Sequence, residues 1–137
     1  MKYKFLEHTA DVKFQAFGKS IEEVFENSAL AFGESVCGKI KVKEKHEKKF
    51  EVKGKDFESL LYNFLEELLY LLDAENFLFA KIKKIKIDGK NFKLNAVALG
   101  DKASNYKFTN NVKAVTYNDM FVRKEKGIWK TQVVLDV

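Results

Sequence analysis

An α+β fold is what this sequence predicts: a single domain over residues 1–137, with two helices packed on a mostly antiparallel or mixed β-sheet. Three observations lead there. The stretches after Ser20 and Asp56 carry apolar residues at helical spacing. Most of the remaining chain alternates apolar and polar residues at the period of a half-buried strand. No repeat, low-complexity tract or linker divides the 137 residues, which match the usual size of one domain. At that length about two-thirds of the unfolded surface can be buried without disulfides or a structural metal, and 13 phenylalanines are on hand to fill the core.

Tyr3-Lys4-Phe5-Leu6 and Val12-Lys13-Phe14-Gln15-Ala16-Phe17 read as the first two strands, joined by the polar knot His8-Thr9-Ala10-Asp11. Ser20 and Glu23 form a capping box for the first helix, whose apolar face carries Val24, Phe25, Ala29, Phe32 and Val36 and which Gly38 ends. Residues 39–55 alternate loosely, as two short strands or one long edge strand whose lysines discourage edge-to-edge pairing. Asp56 caps the second helix. Its wide apolar stripe, from Phe57 through Leu60, Leu61, Phe64, Leu65, Leu68 and Leu69 to Leu72, is a core face rather than a cofactor pocket. Residues 73–76 end that helix, and the rest is sheet. Residues 77–88 form a strand with an irregularity near Ala80, and Asp88-Gly89 signals a hairpin. A return strand over 92–99 stops at Gly100, and a polar loop spans 101–111. Strands over 112–117 and 120–124, a turn at Lys126-Gly127 and a last strand over 128–137 complete the chain.

The formal net charge is +5, yet Arg123 is the only arginine. Nucleic-acid readers lean on arginine for bidentate contacts. Here lysines interleave with glutamates, as in Lys43-Glu44-Lys45 and Glu47-Lys48-Lys49, which weakens any single patch. A solvated lysine-rich surface is favoured over a direct RNA-binding face. His46 reads as a surface residue. One cysteine, Cys37, can form neither an internal disulfide nor a zinc cluster, and reads as a small buried side chain. The first residues lack the apolar length of a signal peptide, and the longest apolar stretch, near residues 68–72, falls far short of a membrane span. A cytoplasmic protein with no membrane partner is the expectation.

The polar knot is the first candidate site. His8, Thr9 and Asp11 at a strand junction suit a ligand, and they suit an ordinary Asx-type turn equally well. The last strand closes on Asp136 and Val137. If it ends beside the first strand, then Asp11, Asp136 and the Val137 carboxylate form an oxygen-rich cluster. Gathered carboxylates repel one another unless a cation sits among them. Hard oxygen donors of this type select calcium, magnesium or manganese rather than zinc. For His8 two roles stay open, a ligand and a hydrogen-bonded strand-end residue.

Four segments together carry a family resemblance. They are Glu7-His8-Thr9-Ala10-Asp11-Val12 with Gly18 and Glu22-Glu23; the helix from Leu60-Leu61-Tyr62 to Glu66-Glu67-Leu68-Leu69-Tyr70; Val112-Lys113-Ala114-Val115-Thr116-Tyr117; and Val133-Val134-Leu135-Asp136-Val137. In this order, and over nearly the whole chain, the sequence resembles archease, a small family associated with tRNA splicing. The resemblance implies a non-catalytic accessory protein. Its partner would be the GTP-dependent RtcB-type tRNA-splicing ligase, whose guanylylation and repeated turnover it would promote. It further implies metal binding by Asp11 and Asp136, with main-chain oxygen from Val137. Calcium is the expected ion, with magnesium or manganese as substitutes. Lys113 would lie at the same functional tip, where a compact cation suits a phosphate or an acid of the ligase. tRNA would be met weakly or through the ligase. The chain departs from the family where Asn118 follows Thr116-Tyr117 in place of the usual histidine, and where residues 34–38 lack the common polar ending.

Two other classes compete. An RNA-binding modulator, or a chaperone of a tRNA-modifying enzyme such as a methyltransferase, would draw on the lysine runs at residues 45–49 and 81–86. A metal-dependent hydrolase would need a nucleophile–base pair beside the acids, and the sequence offers none.

Overall fold

Local hydrogen bonding starts and stops both helices where the sequence places them. In α1 (Ile21–Cys37) the Ser20 hydroxyl accepts from the Glu23 amide at 3.0 Å, and Gly38 leaves the helix with φ of 71°. In α2 (Phe57–Glu75) the Asp56 carboxylate accepts from the Ser59 amide at 2.7 Å while the Ser59 hydroxyl accepts from the Asp56 amide at 3.2 Å, a reciprocal capping box. Asn76, in the left-handed region, terminates α2. These facts come from a computed structural model that describes residues 1–8, 10–108 and 111–137. Thr9 of the polar knot, and Thr109 and Asn110 of the 101–111 loop, lie outside the described residues.

The strands are β1 (Tyr3–Leu6), β2 (Val12–Gly18), β3 (His46–Lys53), β4 (Phe77–Asp88), β5 (Lys93–Lys102), β6 (Ala114–Glu125) and β7 (Ile128–Asp136). Every pairing among the described residues is antiparallel. They make two sheets, not one: a four-stranded sheet in the order β1-β2-β7-β6 and a three-stranded sheet in the order β3-β5-β4. The helices lie between them. On one side Ser28 of α1 shares a 2.8 Å hydrogen bond with Thr131 of β7, both fully buried. On the other, Phe64 of α2 packs against Phe50 of β3 at 6.0 Å and against Phe25 of α1 at 5.8 Å. Each sheet therefore turns one face to the helices and the other to solvent.

Some sequence expectations change. Residues 39–55 hold one strand, β3, which starts only at His46. The irregularity expected near Ala80 is there as a register shift between Phe79 and Lys81, with another between Ile82 and Lys84. β5 runs past Gly100 to Lys102, so Asp101 is a buried strand residue rather than the start of a loop. The two strands read around residues 118–119 are one strand, β6, with a bulge between Thr116 and Phe121. Tyr117, at the start of the bulge and still half exposed, stacks on Tyr62 of α2 at 4.2 Å with the rings 7° apart. Burial of each ring raises both phenol pKa values. Lys126 and Gly127 both have positive φ, as a two-residue hairpin turn needs. The Asp88 hairpin is longer: its carboxylate accepts from the Lys90 and Asn91 amides, and residues 89–92 make the connection. Gly18 ends β2 where a Cβ would come within 2.5 Å of the Val24 amide nitrogen, so strand and helix meet there without room for a side chain.

Candidate metal and partner site at one end of the four-stranded sheet

The register of β2 against β7 begins at Val12 opposite Leu135. One step further along the ladder Asp11 precedes the pair and Asp136 follows it, so the two acids sit at the same end of adjacent strands. The third strand joins them. Ala114 of β6 pairs with Asp136, and the Lys113 amide donates to the Asp136 carbonyl at 2.7 Å. Val112, buried beside it, anchors the approach, while Lys113 itself is exposed. Val137 packs partly buried against the core, so the last strand is held down to its end. His8 places Nδ1 3.7 Å from the Asp11 carboxylate, with 28% and 29% of the two side-chain surfaces exposed. Ala10, between them, adopts φ of 67°, a left-handed conformation that turns the chain sharply ahead of β2.

All five site residues read from the sequence are thus gathered at one end of one sheet by strand register. Two carboxylates and the oxygens of Val137 would make a hard donor set, of the type that suits calcium, magnesium or manganese rather than zinc. Among the described residues no three His, Cys, Asp or Glu side chains group as a metal cage. Asn118, where the resemblance led to an expected histidine, lies in the β6 bulge, exposed, its amide donating to the Thr116 hydroxyl at 3.3 Å.

The sequence left two features unread. Asp101 is buried, and its carboxylate accepts from the Tyr106 hydroxyl at 2.7 Å and from the Lys102 amide at 2.8 Å. The Tyr106 bond, then the Lys102 bond, hold its pKa below the usual carboxylate range. His46 Nε2 stands 4.0 Å from the same carboxylate. Tyr106 also accepts from the Lys43 amide at 3.0 Å. This is a brace for the segment before β3, and only its tyrosine and aspartate were visible beforehand. The lysine runs behind the RNA-binding alternative are the other feature. Three of their seven lysines are paired, Lys48 with Glu75 at 2.7 Å, Lys81 with Glu44 at 3.4 Å and Lys83 with Glu47 at 2.9 Å, which the sequence alone did not show.

A family model described as the Archease protein family (MTH1598/TM1083) matches residues 3–137. The chain belongs to the archease family. It is 41% identical to the protein archease of Methanosarcina mazei, over 99% of this chain and 96% of that one. It is 42% identical to the protein archease of Pyrococcus furiosus, over 99% of each. The solution structure of Methanobacterium thermoautotrophicum protein 1598 superposes with a TM-score of 0.84 at 39% identity, covering 98% of both chains. A crystal structure from Thermotoga maritima, titled an archease and possible chaperone, shares the fold with a TM-score of 0.66 at 22% identity. In this archease-family chain no helix among the described residues is long and apolar enough to cross a membrane.

Proposed function

We propose that this archease-family chain is a non-catalytic partner of the GTP-dependent RtcB-type tRNA-splicing ligase and promotes its guanylylation and repeated turnover in the cytoplasm. The observation that carries the reading is the register at the end of the four-stranded sheet, with Asp11 and Asp136 flanking the Val12–Leu135 pair. In this proposal Asp11, Asp136 and oxygen from Val137 hold a divalent cation, calcium before magnesium or manganese. Such an ion neutralises triphosphate oxygens and so favours nucleotidyl transfer. The chain's own part is presentation. The β2–β7–β6 ladder fixes the spacing of the acids, and the 2.7 Å bond from the Lys113 amide to the Asp136 carbonyl holds the lysine beside them. From there the Lys113 ammonium meets a phosphate or an acid on the ligase. His8, against Asp11, orients that carboxylate. A free, buried Cys37 suits a reducing compartment.

The test is ligase guanylylation followed with radiolabelled GTP, with and without this protein. Stimulation that falls at least tenfold in Asp11→Ala and in Asp136→Ala is the expected result. Equal stimulation by the variants removes the metal reading, and no stimulation by the unaltered protein removes the ligase reading.

A further inference from the structure

The outward face of the four-stranded sheet carries a second feature, at the end away from the acids. Phe14, Ala16, Thr131 and Val133 are fully buried toward the helices, so the alternating residues Gln15, Phe17, Lys130 and Gln132 lie on the outward face, the two glutamines buried within it and Phe17 and Lys130 half-buried. Across this face cations and rings alternate over four strands. Lys4 of β1 holds its ammonium 5.9 Å from the Phe17 ring of β2. Lys130 of β7, which pairs with both Phe17 and Arg123, lies 5.9 Å from Phe17 and 6.0 Å from Phe121. The guanidinium of Arg123 rests 3.7 Å from the Phe121 ring centroid, in van der Waals contact. Lys4 and Lys130 have no ion-pair partner among the described residues, and Arg123 has only Glu125 at 3.5 Å with 54% of its side-chain surface exposed. The only arginine of the chain is spent here.

From this face we infer a binding surface for single-stranded RNA, with bases laid on the rings and on the Arg123 guanidinium and phosphates at Lys4 and Lys130. Four-stranded antiparallel sheets with half-exposed aromatics stack about two or three bases in this way, and arginine planes serve as stacking platforms too. Charge alone would suit an acidic protein surface equally well. A guanidinium seated on a ring does more: beyond the N–H edge that a carboxylate could pair with, it offers a flat, pre-ordered face on which a base stacks and a carboxylate does not. A duplex hides its bases and leaves the rings idle. The three-stranded sheet lacks this arrangement: Lys81, Lys83 and Lys93 face glutamates, and among the described residues no cation of that sheet lies over a ring.

Fluorescence anisotropy with a labelled single-stranded RNA of about ten nucleotides tests the inference without the ligase. The unaltered chain should bind it in preference to the same sequence as a duplex. The double variant Lys4→Gln/Lys130→Gln should flatten the slope of log affinity against log salt by about 1.4, the share of two phosphates on a single strand. Arg123→Lys keeps the charge and loses the plane; affinity should drop roughly tenfold with the slope unchanged. Lys49→Gln/Lys84→Gln/Lys86→Gln, on the other sheet, should leave binding as it was. All of these are surface changes whose folding is checked by thermal melting. Four outcomes overturn the inference: no binding at about 50 mM salt, a duplex bound as tightly, RNA binding lost through the three-stranded sheet instead, or face variants that keep RNA binding while losing ligase association, which would make the face a protein dock.

Discussion

Lys83 in β4 and Lys130 in β7 both stand on outward faces of antiparallel sheets, and their surroundings differ. Lys83 lies 2.9 Å from the Glu47 carboxylate, whereas Lys130 reaches over two phenylalanine rings with no acid partner. The three-stranded sheet repeats the first pattern, with Lys81 beside Glu44 and Lys93 beside Glu51. Exposed pairs of this sort contribute from nothing up to about 1 kcal/mol each, so they blunt the local field more than they hold the sheet. The four-stranded sheet is organised differently. The Gln15 amide donates to Gln132 at 2.8 Å, Gln132 donates to the Asp119 carbonyl at 2.8 Å, and Lys13 lies 3.6 Å from the Asp119 carboxylate. A face braced by its own polar network holds side chains in place. Net charge conceals this contrast, since both faces are rich in lysine.

The comparison can be broken at its shared support. Phe64 touches both Phe25 and Phe50 from a fully buried position, so Phe64→Ala should cost about 3–5 kcal/mol in urea unfolding. Trp129, at the start of β7, reports the four-stranded sheet by fluorescence, and far-ultraviolet circular dichroism reports the whole. The two transitions should coincide, because both sheets rest on the same helices; separate midpoints would show two independent halves. A smaller effect sharpens the contrast between the outer faces. Gln132→Ala strips the Gln15 and Asp119 groups of their partner and should cost roughly 1–3 kcal/mol by the same measurement. A loss indistinguishable from zero would mean that this network is no firmer than the ion pairs opposite.

The mildest test concerns pH and the buried acid in β5. Asp101 titrates below its unfolded value because Tyr106, then Lys102, donate to the charged form. Its stabilisation is therefore complete above the unfolded carboxyl pKa of about 4, and is lost as pH falls through the lower folded value. In urea midpoints measured from neutral to strongly acidic pH, Asp101→Asn should start below the unaltered chain and converge with it at the acid end. A gap that stays constant across the range would deny the carboxylate that role.

The acids of the candidate site were legible as local signals, since Asp11 and Asp136 border strands whose alternation is plain; that those strands pair was only a condition in the sequence. The helices were legible for the same reason, since Ser20, Asp56 and the leucine stripe are short-range signals. What stayed hidden depends on pairing between distant segments. Alternation shows that Phe17, Phe121 and Lys130 share a type of face, but not that β7 lies between β2 and β6 and brings them side by side. The division into two sheets, the bulge within β6 and the burial of Asp101 are likewise set by tertiary register, which no single stretch encodes.

The bulge of β6 has one further effect. Within the bulge the half-exposed Tyr117 lies flat on Tyr62 of α2, while Asp119 reaches Lys13 and Gln132 on the outer face. One kink in a strand thus ties two layers together, gripping a helix on one side and an outer polar network on the other.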